Sequence, residues 1–82
     1  MILYFEFEDR RAKADVLWPK DDEPIAVHLT DPHLRKDLPT DLLFEVGDSR
    51  KVVFTIESPD DKRLIELQTV IARRLQEFVN KE

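Results

Sequence analysis

The sequence contains no cysteine and only one glycine among its 82 residues. Without cysteine, the chain has no disulfide bond, no thiolate metal ligand and no cysteine nucleophile. A single glycine also excludes the glycine-rich loops that hold phosphate groups in nucleotide-binding proteins. The fold must therefore be stabilised by an ordinary hydrophobic core, and two large classes of active site are excluded.

Long apolar runs are also absent. The first apolar run ends at Glu6, and no basic segment precedes it, so the chain start does not resemble a signal peptide. No segment approaches the roughly 20 apolar residues that a membrane-spanning helix needs. We therefore expect a cytoplasmic protein that makes no contact with membranes.

The charge balance is acidic, with 18 acidic against 13 basic side chains and a net charge of −5. Nucleic acids are bound mainly through basic side chains that neutralise phosphates, so this balance argues against a nucleic-acid partner. The acidic run from Asp21 to Glu23 is suited to attracting a basic protein.

Alternation of apolar and polar residues predicts five strands. They cover roughly residues 2–8, 11–18, 25–30, 42–47 and 51–57. The most distinct hairpin surrounds Gly47, for which the sequence predicts a positive φ, because glycine adopts that conformation without strain.

The last third of the chain predicts a helix over residues 59–80. Ser58 is the expected N-cap and Pro59 the expected first helical residue. A short helical turn is predicted at residues 32–37, with Asp31 capping the turn that Pro32 begins. The predicted fold is a single α+β domain over residues 1–82, in which about five antiparallel strands form a meander-like sheet and the long C-terminal helix packs on one face.

The apolar arc of the predicted helix spans roughly 220°, wider than the arc of about 100° that an ordinary surface helix needs. One explanation is a curved sheet that wraps the helix. The other is a contact with a second copy of the chain or another protein, through the flank formed by Ile65, Ala72 and Val79.

The opposite face of the sheet has a mixed composition. Four of its residues, Tyr4, Leu17, Leu43 and Val53, would form an apolar patch if their strands are neighbours. Such a patch would be a second candidate contact surface.

Two histidines lie in the segment HLTDPH, at His28 and His33, and Asp37 lies one helical turn after His33. Two imidazoles and a carboxylate are suitable ligands for zinc or iron, which makes these three residues a candidate metal or small-ligand site. The other interpretation is a strand end followed by a capped turn. The spacing matches no established ligand pattern, and we expect no cofactor.

The sequence thus predicts a small non-catalytic domain that binds another protein or forms a homo-oligomer. Ser49 and Ser58 have no evident histidine and acid partners, so the sequence contains no recognisable catalytic set. The alternative is a metal- or small-ligand-binding protein that uses His28, His33 and Asp37.

Overall fold

A computed structural model of the chain describes residues 1–19, 23–55 and 59–80. It confirms the predicted α+β class, with five antiparallel strands and a long C-terminal helix. In chain order, the elements are β1 (Ile2–Phe7), β2 (Arg10–Leu17), β3 (Ile25–Leu29), α1 (Pro32–Arg35), β4 (Asp41–Val46), β5 (Val52–Val53) and α2 (Lys62–Asn80).

The sheet is a simple meander, because its strands are ordered β1-β2-β3-β4-β5 and each pairs antiparallel with the next. Helix α2 contacts β1 and β5, the two edge strands. The sheet must therefore curl around the helix, in agreement with the first explanation for the wide apolar arc. One continuous core fills the space between sheet and helix.

Polar side chains of α2 bind the backbone of both edge strands. At the β1 edge, Arg74 Nε donates to the Tyr4 carbonyl oxygen at 3.0 Å. At the β5 edge, Gln76 Oε1 accepts from the Val52 N–H and Gln76 Nε2 donates to the Arg50 carbonyl oxygen, both at 2.8 Å. The Gln76 amide therefore occupies hydrogen-bonding groups that a further strand would otherwise use.

The first hairpin turns through only two residues, because Phe7 pairs directly with Arg10. Glu8 and Asp9 have φ values of 53° and 60°. Two successive positive φ values define a type I′ turn, which matches the twist of the flanking strands and normally favours Asn-Gly. Neither residue is glycine, so the turn stores some backbone strain.

The prediction for Gly47 was wrong, since this glycine does not have a positive φ. The left-handed residue of the second hairpin is Arg50, with a φ of 62°. The Gly47 N–H donates to the Lys51 carbonyl oxygen, and the Gly47 carbonyl oxygen accepts from the Arg50 N–H, both at 2.9 Å. This pattern closes a three-residue loop whose last residue is left-handed.

Two predicted boundaries need correction. Strand β5 contains only Val52 and Val53, and residues 54–55 continue without strand pairing; the rest of the predicted strand lies outside the described residues. Helix α2 begins at Lys62, three residues later than predicted. Its cap is Asp61, whose carboxylate accepts from the Leu64 N–H at 3.1 Å. The predicted cap, Ser58, also lies outside the described residues.

Candidate interaction surface

The outer face of the sheet carries a row of apolar side chains across its three central strands. Leu17 on β2 is the direct partner of Ala26 on β3, and Ala26 is the direct partner of Leu43 on β4. Leu17 is 68% exposed and Leu43 is 59% exposed. Direct cross-strand neighbours lie within contact distance, so these three residues form one apolar surface.

The structure places three of the four predicted patch residues together. Val53 pairs with Glu45, which makes it the diagonal neighbour of Leu43, and it is 42% exposed. Tyr4 lies elsewhere, because it pairs with Lys13 and its ring packs beneath the Arg11 guanidinium at 4.9 Å. We call Leu17, Ala26, Leu43 and Val53 the apolar row.

A charged row runs beside the apolar row, two residues away along each strand. It contains Asp15, His28 and Asp41, which are direct partners on β2, β3 and β4. His28 Nδ1 lies 2.8 Å from Asp41 Oδ1, and both side chains are exposed. Glu45 lies on the other side of the apolar row and is also exposed. The apolar row is therefore bordered by carboxylates on both sides.

A depression of about 290 Å³ lies between these two rows. Its outer-face lining combines the aliphatic side chains of Leu17 and Leu43 with the carboxylates of Asp15 and Asp41 and the His28 imidazole between them. A lysine or arginine side chain has a matching composition, because its stem is apolar and its end is cationic.

The predicted helix flank is not an open apolar surface. Val79 is buried in the core, and Ala72 is partly buried against it. Ile65 is also partly buried. The structure therefore offers the outer sheet face, rather than this flank, as the exposed contact surface.

The candidate metal ligands are held by separate contacts. His28 pairs with Asp41, whereas Asp37 Oδ2 lies 3.4 Å from Arg63 Nη1. His33 lies in α1, where its backbone N–H donates to the capping Asp31 carboxylate at 2.9 Å, as the predicted turn requires. Among the described residues, no three acidic or histidine side chains are grouped as metal ligands.

Arg63 joins three elements at one end of the molecule. Its guanidinium donates twice to Glu8 Oε1, at 2.7 and 2.9 Å, and once to Asp37. The hydrogen bonds to Glu8 are the main cause that raises the pKa of Arg63 above its ordinary value. Asp37, predicted as a metal ligand, thus lies beside a cation that links the first hairpin to α2.

Sequence reasoning missed Ala26 and the pairing of His28 with Asp41. Alternation showed which residues share the outer face, but their grouping depends on strand order and register. No hydrophobic signal identifies Ala26, because its importance lies only in its position between two leucines.

No protein-family model, curated protein or solved structure matches this chain. Within the described ranges, neither helix is both long enough and apolar enough to cross a membrane.

Proposed function

We propose that this chain is a non-catalytic, cytoplasmic protein-binding domain that holds a basic segment of another protein on its outer sheet face. The observation that carries the proposal is the apolar row bordered by carboxylates. An exposed apolar surface surrounded by polar groups is typical of a protein contact site. The depression between the two rows suits a single basic side chain of the partner.

Charge favours a different protein over a second copy of the chain. A two-fold axis through the apolar row would bring the Asp15 and Asp41 side of one copy opposite the Glu45 side of the other. Like charges placed together oppose association, whereas lysine or arginine on a partner would complement all three carboxylates.

The apolar row also sets an expected magnitude. Burying a leucine side chain completely contributes about 1.5–3 kcal/mol, so covering the exposed part of Leu17 or Leu43 would contribute about 1–2 kcal/mol. Replacing either leucine by serine should weaken binding by a factor of about 5–30.

The test compares the proteins that bind to three immobilised forms of this chain. These forms are the parent chain, the double variant Leu17→Ser/Leu43→Ser, and the control Tyr4→Ser. Tyr4 is exposed on the same face but lies outside the apolar row. Proteins retained by the parent and the control but lost by the double variant would be purified and titrated calorimetrically at low and high salt.

The proposal predicts a basic partner whose affinity falls as salt rises. Circular dichroism would check that each variant is folded, since all three positions are exposed. Equal retention by folded parent and double variant would contradict the proposal. So would a concentration-dependent dimer that is lost in the double variant, because it would identify a second copy as the occupant.

A further inference from the structure

Among the described residues, a gap opens in the sheet beside β4, where β5 stops pairing. Strand β5 pairs with Glu45 and Val46, but on this side of β4, away from β3, the described residues provide no strand partner for Leu43. The chain after Val53 passes through Phe54 and Thr55 without strand pairing. The gap therefore begins at Leu43, two residues before the last paired residue of β4, Glu45.

The backbone of Leu43 faces this gap. Leu29 N–H donates to the Thr40 carbonyl oxygen at 2.8 Å, so the even-numbered positions of β4 bond towards β3. Gly47 N–H donates to the Lys51 carbonyl oxygen, so the odd-numbered positions bond towards β5. Because antiparallel bonding alternates along a strand, the Leu43 N–H and C=O point into the gap.

The gap is a cavity of about 310 Å³ that extends from the sheet to α2. It is near the lower limit of ligand pockets, which range from about 300 to 1,000 Å³. A short stretch of extended peptide is compatible with this size. The cavity walls include both β4 and the chain leaving β5, with Leu64 and Gln68 contributed by α2.

Gln68 contributes a polar side chain to the wall of the cavity. Its side chain lines the cavity and is only 7% exposed, yet its amide has no hydrogen-bond partner in the described part of the chain. No described polar side-chain atom is both enclosed and unpaired, so the amide must have access to water through the cavity. Buried amides are normally paired, which makes this amide a ready donor and acceptor for a ligand.

Charge restricts the nature of the occupant. The described lining of the cavity includes two carboxylates, Asp41 and Glu45, and no lysine or arginine. Both carboxylates lie on the outer face, on either side of Leu43 along β4. An added strand would place alternate side chains on this face, where a basic residue would lie beside them.

We propose that the partner inserts a short, basic, extended segment into this gap as an added strand, bonded to the Leu43 backbone and to the Gln68 amide. This inference rests on the proposed function and specifies how the partner is held. Strand addition supplies affinity through main-chain hydrogen bonds and selectivity through alternate side chains. The outward side chains would extend the contact onto the apolar row.

The first experiment measures amide hydrogen exchange in the free protein. Leu43 N–H should exchange much faster than the N–H groups of Leu42 and Phe44, its neighbours in the same strand. Those neighbours bond towards β3, so they are matched controls. If Leu43 is protected as strongly as both neighbours at every protein concentration, the open backbone is absent and the proposal is overturned.

The second experiment titrates the ¹⁵N-labelled protein with a blocked hexapeptide of alternating lysine and valine. At millimolar peptide, the Leu43 N–H and the Gln68 side-chain NH₂ signals should shift, and exchange at Leu43 should slow. A glutamate–valine peptide should bind much more weakly. Two further peptides are N-methylated at only the lysines or only the valines, and only one should retain binding, because a strand bonds to its neighbour through alternate residues.

Two variants test the contacts themselves. Gln68→Leu should weaken binding of the lysine–valine peptide by about 3–10-fold, as expected for one lost hydrogen bond. Leu43→Pro removes the N–H that faces the gap, whereas Leu43→Ala retains it, so only the proline variant should lose the backbone contact. The Gln68→Leu variant keeps the test valid if Leu43→Pro does not fold.

Several results would overturn the proposal: no binding of the lysine–valine peptide, equal binding of the glutamate–valine peptide, or shifts confined to residues outside the cavity. Protection of Leu43 that rises with protein concentration would identify a second copy as the occupant and overturn the proposed partner. Loss of a partner in Leu17→Ser and Leu43→Ala, with no further loss in Leu43→Pro and none in Gln68→Leu, would refute strand addition and leave the proposed function intact.

Discussion

Replacing Gln76 by alanine should destabilise the protein, although this side chain lies at the edge of the core. Its amide bonds to Val52 N–H and to the Arg50 carbonyl oxygen, each at 2.8 Å. It also donates to Asn80 Oδ1 at 3.1 Å. Alanine would remove all three hydrogen bonds and weaken the attachment of the second hairpin to the helix, which Arg50 Nη2 also holds through the Val79 carbonyl oxygen at 2.8 Å.

The magnitude follows from the two bonds to the backbone of the second hairpin, at Arg50 and Val52. A typical intramolecular hydrogen bond contributes about 0.5–1.5 kcal/mol, and a partly buried donor left unpaired costs more. The Val52 bond is partly buried, whereas the Arg50 and Asn80 bonds are exposed. We expect a loss of about 2–3 kcal/mol, a large fraction of the stability of a small domain.

Urea unfolding followed by circular dichroism at 222 nm would measure this loss. Glu66→Ala is the matched control, because Glu66 is exposed on the same helix. The difference between the two variants isolates the contacts of Gln76 from the helix propensity of alanine. At this chain length, 2–3 kcal/mol corresponds to a decrease in Tm of about 10–20 °C.

A second measurement detects opening of the second hairpin that occurs without global unfolding. Amide exchange at Val52 would rise in Gln76→Ala if only the second hairpin detaches, even if global unfolding is unchanged. The reasoning would be refuted if Gln76→Ala and Glu66→Ala have equal unfolding free energies and Val52 N–H exchange is unaltered.

Three further substitutions test other parts of the fold. Asp9→Gly should stabilise the protein by about 0.5–1 kcal/mol in urea unfolding, because glycine adopts the observed positive φ without strain, and any destabilisation would contradict the turn assignment. Gly47→Ala should stabilise by about 0.4–1 kcal/mol, since Gly47 has no positive φ and an added Cβ would lie 3.7 Å from the Lys51 carbonyl oxygen; a loss of stability would indicate that the loop needs glycine. Arg63→Gln should lower the Tm at low salt but have less effect in 1 M salt, because the pairs with Glu8 and Asp37 are exposed to screening. A decrease in Tm that is independent of salt would show that Arg63 acts through packing. Because the pKa of Arg63 is raised in the folded protein, its charge stabilises the folded state below its ordinary pKa, and this stabilisation is lost only in strong alkali. The decrease in Tm caused by Arg63→Gln should therefore be the same between pH 6 and 9.

The outer-face site shows how much of a contact surface the alternation of residues along the chain can predict. Alternation correctly assigned Leu17, Leu43 and Val53 to one face, since side chains in a strand point to opposite faces in turn. It also assigned Tyr4 to that face, but Tyr4 lies two register positions from the apolar row. Tyr4 differs from the other three residues only in its position in the strand register. The register depends on pairing between strands, which alternation along one strand does not specify.

The helix provides a similar comparison. Its periodicity predicted a wide apolar arc, and the sequence marked Gln68 as a polar residue that needs a partner. The structure shows that the sheet covers the arc and that the Gln68 amide faces a cavity. A single sequence did not distinguish coverage by the sheet from coverage by another subunit, because both bury the same residues.

Local interactions in the sequence determined the element types, the cap at Asp31 and the faces of the strands. These features depend on side-chain periodicity and on contacts within a few residues. The three-residue hairpin loop places the left-handed conformation at Arg50 rather than Gly47, and the tertiary structure adds the bond from Gln76 to the Arg50 carbonyl oxygen. Tertiary structure alone decided where β5 leaves β4 and which outer-face residues are neighbours, because these features depend on the pairing register of whole strands, as between Leu17 and Ala26 or Ala26 and Leu43, which residue patterns along the chain do not specify.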